Sequence, residues 1–267
     1  MRVISFINAL NLYHKQPQTD GGVYDNDGWV LYYLTIKNRS INRKLQTDMP
    51  VKLCVIVGAG PGIALAVANR FGREGYSFAL IARRQEALNS YVAELAAAGI
   101  SAQGYTADIA DFDALAATLT RIQQTQGDAD LLLYNASEFL SGTPTTYEPE
   151  SFMHSQRICF GGLVVAVQAL VPQMERRGGG TILTTGGGSA FNPTAASTAL
   201  SVGKAGLRNL TLGLADELAQ RPIRVATLTV NGAVQPGTHF DPVRIAEVFW
   251  ELAQQPVATG ERERMYQ

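Results

Sequence analysis

The sequence predicts a doubly wound α/β domain, with a parallel sheet covered on both faces, over residues 49–267 of the 267-residue chain. Short apolar runs alternate with longer segments whose apolar residues recur at helical spacing. Strands that alternate with helices form βαβ units, and these build parallel sheets with both faces buried. A glycine-rich turn, Gly58–Ala64, directly after the first apolar run supports the same fold class.

The first half of this region begins with the most clearly patterned strand. Lys52–Val57 (KLCVIV) is a continuous apolar run that ends at glycine, as expected for a strand buried on both faces. Ile63–Phe71 then carries a helical pattern, and Ser77–Ala82 (SFALIA) predicts the second strand. The same patterns next predict helix Gln85–Ala98, strand Gln103–Thr106, helix Asp111–Gln126 and strand Asp130–Tyr134.

The second half contains the longest predicted helices. Ser151–Arg177 predicts one long helix, which Pro172 is expected to bend or end because proline lacks an amide hydrogen. The last predicted helix runs from Asp241, a good N-cap residue followed by proline, to Gln254. Between them the patterns predict strand Gly180–Thr185, helix Ala195–Gln220 and strand Ile223–Val230.

The first 48 residues differ in composition from the rest. Ala9 is the only alanine before Met49, whereas alanine is abundant afterwards. We expect residues 1–48 to form a poorly ordered extension, with Met49 as the working start of the domain. The alternative is an arm that binds a partner or covers an oligomer contact. Trp29–Ile36 is the best candidate strand within it.

Composition and charge exclude several classes of protein. The chain has 22 Lys and Arg against 23 Asp and Glu, so no basic surface suggests nucleic acid. No uninterrupted apolar run approaches the roughly 20 residues that a membrane span needs. Cys54 and Cys159 are the only cysteines, too few for a disulfide framework or a cysteine zinc site. We therefore expect no metal and no membrane, and a reducing, cytoplasmic setting.

The glycine turn predicts a dinucleotide site in a Rossmann-like domain. Gly58, Gly60 and Gly62 precede Ile63 at the start of the first helix. Glycines here let backbone N–H groups and the helix N-terminus approach a pyrophosphate. The common G-x-G-x-x-G spacing fails because its third glycine falls on Ile63. The spacing G-x-x-x-G-x-[GA], read at Gly58, Gly62 and Ala64, fits instead.

Two arginines favour NADP(H) as the cofactor, with NAD(H) as the less favoured alternative. NAD-binding sites usually present an acid at the end of the second strand, where it binds the ribose hydroxyls. Here Arg83 and Arg84 follow that strand. A guanidinium group suits the 2′-phosphate that distinguishes NADP(H).

Further motifs make the chain similar to the short-chain dehydrogenase/reductase family over about Val51 to Gln254. They are Asp108-Ile109, Asn135-Ala136-Ser137, the segment from Gly203 through Lys204 to Leu207, and Asn231–Val234. The resemblance implies that Asp108 and Ile109 hold the adenine, that Lys204 holds the nicotinamide ribose, and that Val234 lies near the nicotinamide amide. The cofactor-binding residues predicted in this way are Gly58, Gly60, Gly62, Ile63, Arg83, Arg84, Asp108, Ile109, Asn135, Ala136, Lys204 and Val234.

The chain departs from this family at its catalytic positions. The family uses a Tyr-x-x-x-Lys pair, a preceding serine and often an asparagine on the helix before it. Lys204 is present, but Leu200 replaces the tyrosine, Gly187 the serine and Cys159 the asparagine. The wider tyrosine spacing of the family's enoyl reductases falls on Ser197 and fails as well.

These replacements leave the source of the proton open. An alkoxide formed by hydride transfer needs a nearby acid, which leucine cannot provide. Ser201 and His239 are the candidate substitutes. We expect little ordinary ketone reduction, and a role for Lys204 in cofactor binding rather than proton transfer. The alternatives are a nucleotide-sensing or partner-binding protein without catalysis, and a reductase of activated C=C bonds that takes its proton from solvent or another residue.

The two longest predicted helices also suggest self-association. Helices Ser151–Arg177 and Ala195–Gln220 correspond to those that form dimer faces in the family. Their apolar runs Leu163–Val167 and Leu207–Leu214 are suited to the same role. We therefore expect a homodimer or homotetramer.

Overall fold

A computed structural model describes residues 51–267. The expectations for residues 1–48, including the candidate strand Trp29–Ile36, lie outside these described residues. From Lys52 onward the chain alternates strands and helices to its last residues.

Within the described residues the strands form one seven-stranded sheet in the order β3-β2-β1-β4-β5-β6-β7, and every pairing is parallel. This confirms the predicted doubly wound, Rossmann-like fold. The strands are β1 Lys52–Val57, β2 Tyr76–Ala82, β3 Ala102–Thr106, β4 Leu131–Tyr134, β5 Gly180–Gly187, β6 Ile223–Val230 and β7 Glu263–Tyr266.

Helices cover both faces of this sheet. They are α1 Ile63–Gly72, α2 Gln85–Ala97, α3 Phe112–Gln126, α4 Pro149–Gln156, α5 Gly162–Arg176, α6 Thr198–Glu217 and α7 Pro242–Gln254. Successive side chains of a strand point to opposite faces, so β1 contributes residues to two hydrophobic cores, one on each face of the sheet. Val55 and Val57 pack with α3, α5 and α6, whereas Cys54 and Ile56 pack with α1, α2 and α7.

The long helix predicted over Ser151–Arg177 is interrupted, but the interruption does not lie at Pro172. A π turn at Arg157–Gly161 separates α4 from α5, and α5 continues through Pro172 to Arg176. The expectation that Pro172 ends the helix was therefore wrong. In the π turn, the carbonyl of Ile158 accepts a 2.6 Å hydrogen bond from the buried Tyr134 hydroxyl. That bond satisfies a backbone group that regular helix bonding would otherwise use.

The α4–α5 segment is also the one described helical stretch that is long and apolar enough to cross a membrane. Half of its most apolar window is buried inside the protein. Leu163, Ala166 and Leu170 pack in the core beneath the sheet. Packing against the sheet thus accounts for the buried half of this apolar window.

Strand β7 did not appear among the sequence predictions. It pairs with β6 from Thr227 to Val230. Glu263 in this strand accepts a bidentate ion pair from Arg208 of α6, with Nη2–Oε2 at 2.6 Å, and a 2.7 Å hydrogen bond from the Thr229 hydroxyl. Burial alone raises the pKa of Glu263, but the hydrogen bonds from Arg208 and Thr229 outweigh it and lower that pKa. The charged glutamate therefore stabilises this edge of the sheet.

We expect Glu263→Gln to lower the free energy of unfolding by about 1.5–3 kcal/mol, because charged hydrogen bonds at a partly buried site are lost. The matched control is Asp216→Asn, which removes an exposed 3.4 Å ion pair with Arg262. This control should lower the free energy of unfolding by less than about 0.5 kcal/mol. Urea titration measures both. Because the native pKa of Glu263 is lowered, the difference from wild type should shrink as the pH falls through that pKa. Equal losses in the two variants would contradict this role.

Candidate active site

Two adjacent cavities lie along the carboxyl edge of the sheet. The first, of about 620 Å³, lies over the ends of β1, β2 and β4, and the second, of about 600 Å³, over the ends of β4, β5 and β6. Gly60, Asn135 and Ser137 line both, so the two cavities join into one crevice. In open α/β sheets, ligands bind outside the carboxyl ends of the strands where the strand order reverses, here between β1 and β4.

The turn after β1 forms the floor of the first cavity. Gly58 has a φ of 88°, and a Cβ there would lie 2.5 Å from the backbone nitrogen of Ala136. Only glycine fits that approach. A Cβ on Gly60 or Gly62 would meet no atom within 4 Å, so the space above these two residues is open. The amino end of α1 therefore faces the crevice without a side-chain cap.

The far wall of the first cavity carries the polar residues predicted to bind adenosine. Arg83 and Arg84 are exposed at the end of β2, and Arg83 Nη1 lies 3.5 Å from Glu138 Oε1. The Asp108 carboxylate accepts a 3.0 Å hydrogen bond from the amide of Ala110. Tyr91 of α2, which no sequence signal distinguished, completes this wall.

The second cavity contains Lys204 together with Leu200 and Gly187. Its lining is Gly60, Gly62, Ile63, Asn135, Ser137, Thr185, Gly186, Gly187, Gly188, Ser189, Leu200, Lys204, Val230, Asn231, Gly232 and Val234. Leu200 lies one helical turn before Lys204 on α6, and both line the cavity. All twelve residues predicted from the sequence to bind cofactor thus lie in the walls of one cavity or the other.

Close packing of α6 against the π turn fixes the position of Lys204. A Cβ on Gly203 would lie 2.5 Å from Cys159 Cβ, so glycine is needed for the two segments to approach this closely. Cys159 is buried, and its sulfur contacts the backbone nitrogen and oxygen of Glu138 at 3.4 and 3.7 Å. Cys159 therefore packs between α6 and the loop after β4, and it does not line either cavity.

Lys204 is a buried cation with one hydrogen-bond partner among the described residues. Its Nζ donates a 2.8 Å hydrogen bond to the carbonyl of Thr185 at the end of β5. Burial lowers the pKa of Lys204 to about 8, and the nearby Cys159 partly opposes that shift. Burial thus makes the Lys204 ammonium a stronger acid than an exposed lysine.

A hydrogen-bonded chain connects this lysine to the glycine turn. The Thr185 hydroxyl donates to Asn135 Oδ1 at 2.8 Å, and Asn135 Nδ2 donates to the carbonyl of Gly58 at 3.0 Å. The ends of β1, β4 and β5 are thereby held in fixed relative positions. Thr185 was missed at the sequence level. Its place at the end of a predicted parallel strand was the signal available for finding it.

The two candidate proton donors named from the sequence lie away from the cavities. Ser201 is buried in α6, and its hydroxyl donates to the carbonyl of Ser197 at 2.9 Å. The His239 ring stacks on Tyr266 with centroids 4.6 Å apart, and the Tyr266 hydroxyl donates to the His239 carbonyl. Neither side chain lines the second cavity. Ser189, which no sequence argument selected, does.

The described residues hold no group of three or more His, Cys, Asp or Glu side chains that could bind a metal ion. The crevice is lined by glycine backbone, by neutral polar and apolar side chains and by the cations Arg83, Arg84 and Lys204, with Asp108 as its one acidic side chain among the described residues. Backbone N–H groups and cations of this kind suit phosphate groups.

Comparisons with known proteins agree on one family. Residues 52–239 match the model of the short chain dehydrogenase family. An uncharacterized oxidoreductase of Staphylococcus aureus is 27% identical over 219 residues, 79% of this chain and 94% of the relative. Dehydrogenase/reductase SDR family member 4 of Oryctolagus cuniculus is 31% identical over 181 residues, 66% of this chain and 68% of the relative. The crystal structure of a metagenomic short-chain oxidoreductase in complex with NADP superposes with a TM-score of 0.74 at 28% identity, covering 81% of this chain and 97% of that one.

The close approach at Gly58 generates a stability prediction. We expect Gly58→Ala to lower the free energy of unfolding by at least about 1–3 kcal/mol, because a Cβ would overlap Ala136 and the φ of 88° is strained for alanine. Gly60→Ala, the matched control in the same turn, meets open space and should change it by less than about 0.5 kcal/mol. Chemical denaturation compares the two variants. A Gly58→Ala protein as stable as wild type would contradict the description of the turn.

Proposed function

The chain belongs to the short-chain dehydrogenase family, and on that premise we propose that it is an NADP(H)-dependent oxidoreductase whose active site lacks the usual hydroxyl acid. The observation that carries the proposal is the joined crevice, which has Arg83 and Arg84 at one end and Lys204 beside Leu200 at the other. The relative solved in complex with NADP supports the choice of cofactor class.

The residues of the crevice fit a dinucleotide. The open space above Gly60 and Gly62 lets a pyrophosphate approach the backbone and the amino end of α1. Asp108 and Ile109 line the part proposed to hold the adenine, and Lys204 and Val234 the part proposed to hold the nicotinamide and its ribose. When bound, the reduced cofactor supplies a hydride. The residues of the chain orient the reactants, exclude water and control the transfer of the proton.

Arg83 and Arg84 support NADP(H) rather than NAD(H). Both line the first cavity at the end of β2, where the sequence continues with these two arginines and no acid; the carboxylate nearest to Arg83 is Glu138, at 3.5 Å. A charge-assisted contact with the 2′-phosphate contributes on the order of 1.5–3 kcal/mol.

We predict that NADPH binds at least about tenfold more tightly than NADH, and that Arg83→Ala with Arg84→Ala removes most of that difference. Calorimetric titration with both cofactors measures it. Arg73→Ala, an exposed arginine that lines neither cavity, is the control and should leave the ratio unchanged. Equal affinities for the two cofactors in the parent protein would refute the assignment.

The substrate end of the crevice accounts for the proposal of a degenerate site. Leu200 and Gly187, which the sequence resemblance aligns with the family's tyrosine and serine, both line the second cavity. Apolar side chains, Ile63, Val230 and Val234, form much of the remaining wall. We propose a small, largely apolar carbonyl compound or activated alkene as the substrate. Reduction of an alkene needs a proton on carbon, which solvent can supply.

Restoring the missing hydroxyls should raise carbonyl reduction. A Cβ on Gly187 would lie 3.4 Å from Lys204 Cγ, an ordinary contact, so Gly187→Ser is sterically acceptable. We expect Leu200→Tyr with Gly187→Ser to increase kcat/KM for simple ketones at least about tenfold, since a positioned acid contributes 10²–10⁴-fold. The control, Leu200→Phe with Gly187→Ser, supplies the ring without its acid. A gain in the control equal to that of the tyrosine variant would contradict the proposal.

The rival functions are separable by the same assay. NADPH oxidation is followed with ketones, aldehydes, menadione and cyclohexenone. Turnover confined to cyclohexenone or menadione favours the C=C or quinone reductase. Tight NADPH binding without turnover on any of them favours the non-catalytic sensor and refutes the proposed oxidoreductase.

We also propose that the outer faces of α5 and α6 join copies of this chain. A groove of about 490 Å³ lies between these helices, lined by Val164, Val167, Val171, Leu210 and Leu214 among others. Val164 is exposed to solvent within it. The groove is apolar in the segments predicted to form a dimer face.

We predict an oligomer with twice or four times the chain mass in light scattering at micromolar concentration. Val164→Asp should shift it toward monomer, because burying an unpaired carboxylate is costly. Val243 is an exposed valine on α7, and Val243→Asp is the control, which should leave the oligomeric state unchanged. A monomeric wild-type protein would reject the interface.

A cytoplasmic location remains part of the proposal. Both cysteines of the chain, Cys54 and Cys159, are free and buried. Reduced thiols are typical of proteins kept in a reducing compartment.

A further inference from the structure

The second cavity offers very few groups that can release a proton near neutral pH. Its lining contains hydroxyls on Ser137, Thr185 and Ser189, and the amides of Asn135 and Asn231. Hydroxyl and amide groups are weak acids without strong activation. Among the described residues that line this cavity, Lys204 carries the only ionisable side chain.

The position of Lys204 suits a second role besides cofactor binding. It follows Leu200 by four residues, so the two side chains lie on one face of α6 and border the same space. An ammonium group has three N–H donors, and the structure gives Nζ one acceptor, the Thr185 carbonyl. Two N–H groups are therefore available to molecules that enter the cavity.

The surroundings of this ammonium favour loss of a proton. The titratable group that faces it is the Cys159 thiol on the π turn, and burial keeps the pKa of that thiol above its usual value. No carboxylate contributes to the electrostatics of Lys204, and the Glu138 carboxylate beyond Cys159 is directed to Arg83. Burial, the main cause, accordingly brings the pKa of Lys204 down to about 8.

We propose that Lys204 is the proton donor of this active site, taking over directly the task of the missing tyrosine. The inference rests on the proposed oxidoreductase function and departs from the expectation drawn from the sequence, which gave Lys204 a role in cofactor binding rather than proton transfer. The carbonyl carbon of the substrate accepts the hydride supplied by NADPH, and the π electrons of the C=O bond move to oxygen. That oxygen takes a proton from the Lys204 ammonium, whose N–H bond breaks with its electron pair retained on nitrogen.

This step balances. The carbonyl is reduced by two electrons to an alcohol, and NADPH is oxidised by two electrons to NADP⁺. Lys204 becomes a neutral amine and regains its proton from water. In the reductive direction the lysine must start protonated. Activity therefore stands highest below the pKa of Lys204 and falls by about tenfold per pH unit above it.

The first test measures the protonation of Lys204 itself, without turnover. The full-length protein is labelled at its lysine side chains, and their NMR signals are followed as the pH is raised with and without bound NADP⁺. Lys204→Arg assigns the buried signal, and Lys52→Arg, an exposed lysine that lines neither cavity, assigns a reference signal. The proposal expects the Lys204 signal to titrate near pH 8, well below the usual pKa of a lysine side chain. A Lys204 signal that titrates at the usual lysine pKa would overturn it.

The second test separates proton donation from cofactor binding. Lys204→Arg keeps a cation with hydrogen-bond donors but holds its proton throughout the accessible pH range. We expect NADPH still to bind, turnover of trifluoroacetophenone or benzaldehyde to fall at least about tenfold, and the loss of activity above the Lys204 pKa to disappear. Lys52→Arg should keep the wild-type rate and pH profile.

The outcomes distinguish this inference from the proposed function beneath it. Turnover by Lys204→Arg at the wild-type rate, with the same pH profile, would overturn the proton role of Lys204 and leave the oxidoreductase standing. Absence of turnover in the wild-type protein on every carbonyl and alkene would refute the oxidoreductase, and the proton role with it.

Discussion

The contact between the turn after β1 and the loop after β4 holds the active-site crevice together. Gly58 approaches Ala136 so closely that any side chain at position 58 would overlap its backbone, and Asn135 donates a hydrogen bond to the Gly58 carbonyl. β1 and β4 are neighbours at the point where the strand order reverses, so their following segments diverge and leave a crevice between them. Both cavities border this contact. Its geometry therefore sets the spacing between the adenosine end and the substrate end of the site.

The same contact extends to the buried lysine. Asn135 accepts from the Thr185 hydroxyl, and the Thr185 carbonyl accepts from Lys204. A rigid path of hydrogen bonds thus joins the glycine turn to α6, where Gly203 packs against Cys159. Because this packing buries Lys204, the pKa of its amine is lowered to about 8. Leu200 lies one turn earlier, and Lys204 carries the one ionisable side chain among the described residues that line the second cavity.

Local patterns determined most of the fold and the composition of the crevice. Continuous apolar runs such as Lys52–Val57 identify buried parallel strands, and the glycine turn identifies the crevice. Strand β7 was not predicted from the sequence, because it is short and charged. It is stabilised by long-range contacts of Glu263 with Arg208 and Thr229. The π turn was not predicted because the sequence pattern there is an ordinary helical one; the Tyr134 hydroxyl of β4, which donates to the Ile158 carbonyl in that turn, is 24 residues away in sequence. The sequence identifies candidate proton donors only by residue type. The three-dimensional arrangement shows that Lys204 lines the second cavity, whereas Ser201 and His239 do not.

We propose that this chain keeps the nucleotide crevice of its family and that an amine takes the place of the tyrosine hydroxyl as the acid beside the nicotinamide. A crystal structure of the full-length protein with NADP⁺ bound would show the arrangement of these groups. We expect the 2′-phosphate at Arg83 and Arg84, the nicotinamide between Leu200 and Val234, and the Lys204 amine as the nearest ionisable group to the reactive carbon of the nicotinamide. A nucleotide bound elsewhere, or His239 or a serine hydroxyl facing that carbon in place of Lys204, would contradict this proposal.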